Sequence, residues 1–542
     1  MTDLLSVVAV SLYGVILALL LPFAGHRISL IVLAGRKAPR ETGLRPGDVA
    51  SSSARSRSVA APRVTVQLPV YNEKHVVGRL IDAACRLRHP PELLQVQILD
   101  DSTDETTALA ERRAREWRSR GVDVAVHHRS IRTGYKAGAL AEGLDTATGD
   151  FILILDADFV PRPSLLEELL PTMADPGVGM VQARWDHLNE NDSWLTRAQA
   201  LLLDGHFLIE QKARYVAGRF FNFNGTAGLW RRQALDDAGG WEHDTLTEDL
   251  DISYRAQMAG WRFVFRDDVG VPAELPRTAA SLLVQQRRWA QGGIQTARKV
   301  LPRLLRGRFR PAVKLEALVH LCGHLAHPLT FALALLIVPS AMARRELGID
   351  RLWWLDLAVF ASATVPFIAF YLTAARKRGR RAGTAVGRAV GTLVLGAGMS
   401  VLLSRAVLRG LGRFRDPFER TPKAGGSNRS SYEPSGGHFR GRALAVGAGV
   451  AMVLSGVMAL AGGYWASVPF VVLFASGYLS LGLGSCPPFQ GQSGGQRQPH
   501  GEPDGHAAPG GLRPDAAGLV GRKPPVREEH ESAQQEEGSV AA

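Results

Sequence analysis

Cysteine is almost missing from this chain: Cys85, Cys322 and Cys486 are its three among 542 residues. They are too few and too scattered for a disulfide framework or a Cys-ligated metal site, so reduced thiols without catalytic work are expected. Phosphate cradles are lacking too. Neither GxGxxG nor GxxxxGK with a following Ser or Thr comes after the first strand-like run, which excludes dinucleotide oxidoreduction and P-loop hydrolysis. A secretory leader is not written either. Asp3 precedes the first apolar run, and His26, Arg27, Arg36, Lys37 and Arg40 follow it where a small-residue cleavage site would stand, so an uncleaved anchor is expected. Acidic residues are outnumbered 51 to 64, for a net charge of +13. The last 57 residues hold eight acidic and five basic side chains, so the excess lies elsewhere, much of it flanking long apolar runs. That placement reads as a protein held against anionic lipid, not against nucleic acid.

The length allows two to four domains, and the apolar runs divide it. Leu4 to Ala24 can cross a hydrocarbon core of roughly 30 Å as a helix. Residues 1–26 are therefore expected as an anchor, 27–61 as a juxtamembrane linker, 62–314 as a soluble domain and 315–485 as a membrane region. Within that region the expected spans are 315–342, 353–375, 443–466 and 468–483, five with the anchor. Val386 to Leu403 is glycine-rich, and a crossing there would put the arginine-rich stretch 404–442 outside, against the positive-inside rule. An interfacial or re-entrant segment is expected instead. The rule places the soluble domain in the cytosol. The tail 486–542, rich in Gly, Pro, Gln and His, is expected to be disordered.

In the insert, Val64–Val70, Val96–Asp100, Val122–His127 and Phe151–Asp156 are short β-branched runs, with helical segments at Thr106–Ser119 and Ala137–Ala147. Strand alternating with helix predicts an α/β domain built on a parallel, doubly wound sheet. Ligands of such sheets sit beyond the strand carboxyl ends, which here read Tyr71, Asn72 and Glu73; Asp100 and Asp101; Asp156 and Asp158. An acidic edge without a glycine cradle points to diphosphate held through a metal. Asp156 and Asp158, two apart on an extended strand, would face the same side and hold a hard cation, Mg²⁺ or Mn²⁺ in preference to Zn²⁺.

Seven strings follow in order: LPVYNE (68–73), DDSTD (100–104), GYKAGAL (134–140), DADF (156–159), FNGTAG (223–228), TLTEDLD (245–251) and QQRRW (285–289). Together they resemble a processive family 2 glycosyltransferase of the cellulose synthase-like kind. The strings RW (184–185), HF…EQ (206–211), FNGTAG and PAELP (272–276) look most like the branch that includes glucomannan 4-β-mannosyltransferases. The resemblance covers roughly Pro62 to Pro339 and implies a GT-A, Rossmann-like fold. It also implies roles. Tyr71, Glu73, Asp100, Asp101, Lys136 and Asp156 would bind the nucleotide sugar and Asp158 the metal. Asp249 would be the general base, while Glu248, Asn224, Gly225, Thr226, Gln285, Arg288 and Trp289 would meet acceptor or diphosphate. The implied activity is inverting polymerisation of a β-linked hexose from GDP-mannose or UDP-glucose onto a growing polysaccharide, coupled to its movement through the spans of a plasma-membrane protein. Whether an accessory export protein is needed is not written in these strings. Transfer of a single sugar to a lipid acceptor is the alternative enzyme, and an inactive scaffold subunit of an export complex the alternative that is no enzyme.

Blander readings stand beside these. Thr247, Glu248 and Asp249 would also suit a helix start, with Thr247 as its cap. QQRRW lies among arginines that suit a membrane-surface helix. Phe418 to Lys423 resembles the family's cytosolic FxRTPK loop and is given no catalytic work. His320, His324 and His327, at helical spacing in the second span, are expected to form a wet, sugar-facing stripe. The arginine-rich opening and Asp-x-Ser-x-x-Gly pattern of a cyclic dinucleotide module are not recognisable, so regulation by that route is not predicted.

Overall fold

A computed structural model describes residues 2–36, 61–412, 421 and 437–484. Most of the expected linker, most of the 404–442 loop and the whole expected tail lie outside the described residues. The β-branched runs form β1 (Val64–Val70), β2 (Leu94–Asp100), β3 (Asp123–His128) and β4 (Phe151–Ile154), joined by β5 (Val178–His187), β6 (Gly228–Arg231) and β7 (Arg262–Ala273). Their order across the sheet is β3-β2-β1-β4-β6-β5-β7. The first four strands pair in parallel, but β6 runs antiparallel to both β4 and β5. The sheet is therefore mixed, which corrects the all-parallel expectation.

Side chains alternate across the sheet as a two-residue period demands. On β4, Phe151 and Leu153 enter one apolar core, with Val77, Leu80 and Ile81 of α2 (Val77–Cys85). Ile152 and Ile154 enter the opposite one, with Phe207, Phe223 and Trp230. In chain order the further helices of the domain are α3 (Thr106–Arg118), α4 (Tyr135–Asp145), α5 (Leu165–Leu169), α6 (Trp194–Gly205), α7 (Lys212–Val216), α8 (Arg232–Asp237) and α9 (Glu248–Met258). A π-helical turn, His206–Gln211, joins α6 to α7. The long α10 (Ala279–Arg306) closes the domain, its first turn capped by the Thr278 hydroxyl accepting from Ser281 N at 3.2 Å.

Beyond it lie α11 (Pro311–Leu321), α12 (Ala326–Glu346), α13 (Trp354–Lys377), α14 (Ala382–Leu411), α15 (Gly437–Ala461) and α16 (Val468–Gly482), while α1 (Thr2–Ala34) comes from the other end of the chain. Among the described residues, six helical stretches are long and apolar enough to cross a membrane: Leu4–Ala34, Gly323–Glu346, Asp356–Lys377, Ala382–Leu411, Gly441–Ala461 and Trp465–Gly482. They mark a membrane protein. The expected span 315–342 is broken: α11 ends at Leu321 and a 3₁₀ turn, Gly323–Leu325, precedes α12.

The segment Val386–Leu403 lies within α14, one continuous helix of 30 residues. Both its ends meet the sheet domain. Near the start, Arg388 donates to Asn191 Oδ1 at 3.0 Å and the Thr392 hydroxyl reaches Ala198 O at 3.2 Å; at the end, Arg298 of α10 donates to Gly410 O at 3.3 Å. The turn before α14 is tied down as well. Arg378 lies 2.8 Å from both Asp186 and Asp204, and Arg380 bonds to Asp204 and Glu190 at 2.5 and 2.6 Å. These pairs link the juxtamembrane arginines to the domain directly.

Midway, α14 crosses α16 backbone to backbone, as small residues permit between membrane helices. A Cβ on Gly398 would strike the Gly477 carbonyl, and one on Gly477 would lie 2.6 Å from Gly398 N. Gly398→Val should therefore cost about 1–3 kcal/mol by overpacking and lower the unfolding midpoint of the detergent-solubilised protein. An unchanged midpoint would contradict this crossing.

Candidate active site

The carboxyl edge of the sheet is built from turns that most residues avoid. Asn72, Tyr135 and Ala227 hold positive φ of 54°, 50° and 53°, and all three lie in motif strings at this edge. Asn72 is held by its neighbour strand: its Oδ1 accepts from Thr103 N at 2.8 Å and its own N–H donates to the Ser102 hydroxyl at 2.8 Å. Strained loops sewn to one another this way fix side-chain directions before any ligand arrives.

A cavity of about 140 Å³ opens at this edge. Tyr71, Glu73, Asp101, Lys136, Asp156 and Asp158 line one side of it. Asn224, Gly225, Glu248, Asp249, Gln285, Arg288 and Trp289 line the other. Lys136 joins the two sides. Its Nζ donates to Asp156 Oδ1 at 2.6 Å and to Gly225 O at 2.8 Å, with Glu248 at 4.0 Å. Burial alone would pull its pKa down, but the Asp156 and Glu248 carboxylates outweigh that and raise it, so the ammonium stays charged.

Asp249 takes the opposite course. Burial first, then the Glu248 carboxylate, push its carboxyl up to about 7, against the pull of Lys136 and Arg288. Such a carboxyl is poised to exchange a proton near neutrality. Gly225, at φ +80°, permits this arrangement: a Cβ there would sit 3.0 Å from Asp249 Oδ2 and 3.5 Å from Lys136 Nζ. Thr247 makes no capping bond to α9; its hydroxyl pairs with that of Thr296 at 3.2 Å. The helix-cap reading of this threonine is thereby corrected. Gln285, Arg288 and Trp289, at i, i+3 and i+4 on α10, share the face turned to the cavity.

The family described as glycosyltransferase like family 2 matches residues 62–292. Residues 62–292 are a glycosyltransferase family 2 domain. Among curated proteins, the chain is 40% identical over 297 residues to probable glucomannan 4-beta-mannosyltransferase 10 of Arabidopsis thaliana, covering 53% of this chain and 54% of that protein. It is 37% identical over 321 residues to glucomannan 4-beta-mannosyltransferase 1 of Cyamopsis tetragonoloba, covering 58% and 60%. The chain thus spans little more than half the length of these relatives. Among solved structures it is similar to a mannosyltransferase of Pyrobaculum calidifontis in complex with GDP-Man and Mn²⁺, at 21% identity and a TM-score of 0.45, covering 70% of this chain and 98% of that one.

Within the family 2 domain, several residues depart from expectation. Asp156 and Asp158 lie beyond β4, in a turn and not on an extended strand, so the alternation that would have aimed them together does not operate. They diverge in partners: Asp156 engages Lys136, while Asp158 is buried at the cavity wall. Asp100 and Thr226 do not reach the cavity. Asp100 is consumed behind it, accepting from Ser102 N at 3.0 Å and from the Thr107 hydroxyl at 2.5 Å, with His128 Nδ1 at 2.8 Å. Thr226 Oγ1 accepts from Asp156 N at 2.9 Å and so supports the loop instead of meeting ligand.

Other residues were not foreseen as part of the site. Arg129 grips Asp101 with two bonds of 2.7 and 2.8 Å, and Arg132 lies over the Tyr71 ring, 3.3 Å from its centroid. The one signal was the basic string RSIRTGYK just ahead of Lys136. Trp185, Asp186, His187 and Glu274 line the cavity, as does Thr421 of the FxRTPK-like loop, which had been given no part in it.

A second cavity of about 390 Å³ adjoins the first, sharing Trp185, Leu203, Asn224, Thr247, Asp249 and Trp289 with it. It runs on to Phe23 and Arg27 of α1, Phe367 and Tyr371 of α13, and Met399 of α14. His320, His324 and His327 all line it, although the break at Cys322 places them around a turn and not along one helix face. His324 and His327 stack with ring centroids 5.7 Å apart.

Gly225→Ala should fold, since the residue lies in a loop, yet lose sugar transfer by about 10²-fold through displacement of Asp249 and Lys136. Thermal unfolding and initial rates measured side by side check this; an active Ala variant would contradict the close approach.

Proposed function

We propose that this protein is a metal-dependent, inverting hexosyltransferase that polymerises a β-linked mannan-type or glucan-type chain from a nucleotide sugar and passes it into the membrane region. The observation that carries this reading is that the two cavities adjoin and share Asp249 and Trp289 in their walls. The relatives, glucomannan 4-beta-mannosyltransferases, favour a mannosyl donor over a glucosyl one, and of the two donors implied by the motifs that is GDP-mannose.

The donor lies against Tyr71, Glu73 and Asp101, its diphosphate toward Asp158. The carboxylates on this wall are hard oxygen donors and fit Mg²⁺ or Mn²⁺: Asp158 would hold the ion, with Asp156 close by on the same turn. When bound, the cation neutralises the departing nucleoside diphosphate. Arg288 adds a fixed charge on the opposite wall. The acceptor sugar stacks on Trp289 and is steadied by Asn224. Asp249 takes the proton from its attacking hydroxyl, and attack opposite the leaving diphosphate inverts the anomeric carbon, turning an α-linked donor into a β-linked product.

The membrane arrangement follows the charges. With the catalytic domain in the cytosol of a plasma-membrane protein, Arg376 to Arg381 lie on the cytosolic side. Because α14 meets the catalytic domain at both ends, it lies along the interface, which supports five crossings.

Reconstituted protein given Mg²⁺ or Mn²⁺ and labelled GDP-mannose or UDP-glucose should make long β-linked polymer from one donor. Asp249→Asn should lose about 10²–10⁴-fold in rate with nucleotide binding intact. Single-sugar products on lipid would overturn polymerisation, and no product with either donor would favour the scaffold. Because the base must be ionised, kcat/KM should rise with pH through about 7. A profile flat from about pH 5.5 to 8.5 would contradict Asp249 as the base.

A further inference from the structure

A groove of about 530 Å³ lies where α10, α14, α15 and α16 meet. Five guanidinium groups rim it: Arg277, Arg287, Arg405, Arg409 and Arg442. Among the described residues that line it there is no Asp or Glu, and of the five, Arg277 is paired from outside the groove with Asp192 at 3.1 Å. Its floor is apolar, formed by Leu283, Leu402 and Leu481.

The position of the groove names the ligand class. Arg442 Nε donates to Gly482 O and its Nη2 to Leu483 O, both at 3.0 Å, which ties the start of α15 to the end of α16. Those are the ends of two candidate spans, Gly441–Ala461 and Trp465–Gly482. The groove therefore sits at the level where apolar helix gives way to polar surface. At about 100° per residue, Leu283 and Arg287 fall on the side of α10 opposite Gln285 and Trp289, so the groove is separate from the catalytic cavity.

We propose that this groove binds one anionic phospholipid, its phosphate among the arginines and an acyl chain along the leucine floor. Guanidinium groups pair with phosphate oxygens in a two-point fork, and basic pockets between membrane helices suit such headgroups. The lipid bridges the back of the helix that carries Trp289 to the α15–α16 hairpin.

The test uses the full chain in detergent, given equimolar phosphatidylglycerol and phosphatidylcholine, with bound lipid counted by native mass spectrometry. Phosphatidylglycerol should be retained over phosphatidylcholine, and Arg405→Gln and Arg442→Gln should each lower that retention about fivefold. Arg405→Lys, which keeps the charge and loses the fork, should fall between wild type and Arg405→Gln, and glycerol 3-phosphate at the same concentration should not compete. Equal retention of the two lipids, or unchanged retention in both Gln variants, overturns the proposal. Complete displacement by glycerol 3-phosphate overturns it too, by making this a site for a free anion. Should Arg442→Gln fail to fold for want of its carbonyl bonds, Arg405→Gln, at an exposed position on α14, carries the comparison alone.

Discussion

One buried ammonium organises the site. Lys136 Nζ donates to Asp156 on the turn after β4 and to the Gly225 carbonyl on the loop before β6, with Glu248 at the head of α9 nearby. Three separate loops thus converge on a single positive charge, which stays protonated because carboxylates surround it. The same crowding acts on Asp249 in reverse, since burial and Glu248 raise its pKa toward neutrality. The cation and the adjoining acid belong to one electrostatic arrangement: removing the ammonium would leave Asp156, Glu248 and Asp249 close together without compensation, a costly state in a desolvated pocket. Gly225 is the steric counterpart of that arrangement, because only a residue without Cβ lets the loop carbonyl reach Lys136 while Asp249 stays beside it.

The second constraint is docking. A catalytic cavity that continues toward membrane helices requires those helices to be fixed relative to the sheet. Asp204, at the end of α6, does part of this work: it is almost fully buried and receives His187, Arg378 and Arg380. Burial alone would raise its pKa, yet the His187 hydrogen bond and the two arginines hold it well below the usual carboxylate range. Glu316 of α11 does the corresponding work on the other side, bonding Arg214 and His26 at 3.0 Å each and so joining α1 to the domain. Charges read in the sequence as membrane-flanking thus turn out to be paired across the boundary between domain and helices.

Legibility followed local pattern. Strands β1, β2 and β4 are apolar, largely buried runs, and β3, a half-buried edge strand, still carries Val124 and Val126, so all four could be read within a residue or two. Strand β6 has four residues, β5 ends in Arg184, Asp186 and His187, and β7 is interrupted by Arg266, Asp267 and Asp268, so periodicity concealed them and with them the antiparallel pairing. The motifs marked the right loops, but membership of a motif does not say which side chains face inward. Asp100 and Thr226 sit in motif strings and serve their neighbours, whereas Arg132 stands in none and reaches the cavity through its contact with Tyr71. The histidine spacing was real, but it assumed a continuous helix that ends at Leu321. Helical length at 382–411 exceeded the apolar window visible in sequence, because Ala382 and Ala385 before it and Arg405, Ala406, Leu408 and Arg409 after it, good helix formers that are not all apolar, carry the helix past it.

The central claim is that the product of the catalytic cavity enters the second one. A photo-reactive amino acid placed at Tyr371, which lines the second cavity and not the first, tests it most directly. Irradiation of reconstituted protein during synthesis should attach labelled polymer to this position in a donor-dependent manner. Attachment at a probe beside Trp289 with none at Tyr371, while polymer is being made, would mean that the product leaves the site by another route.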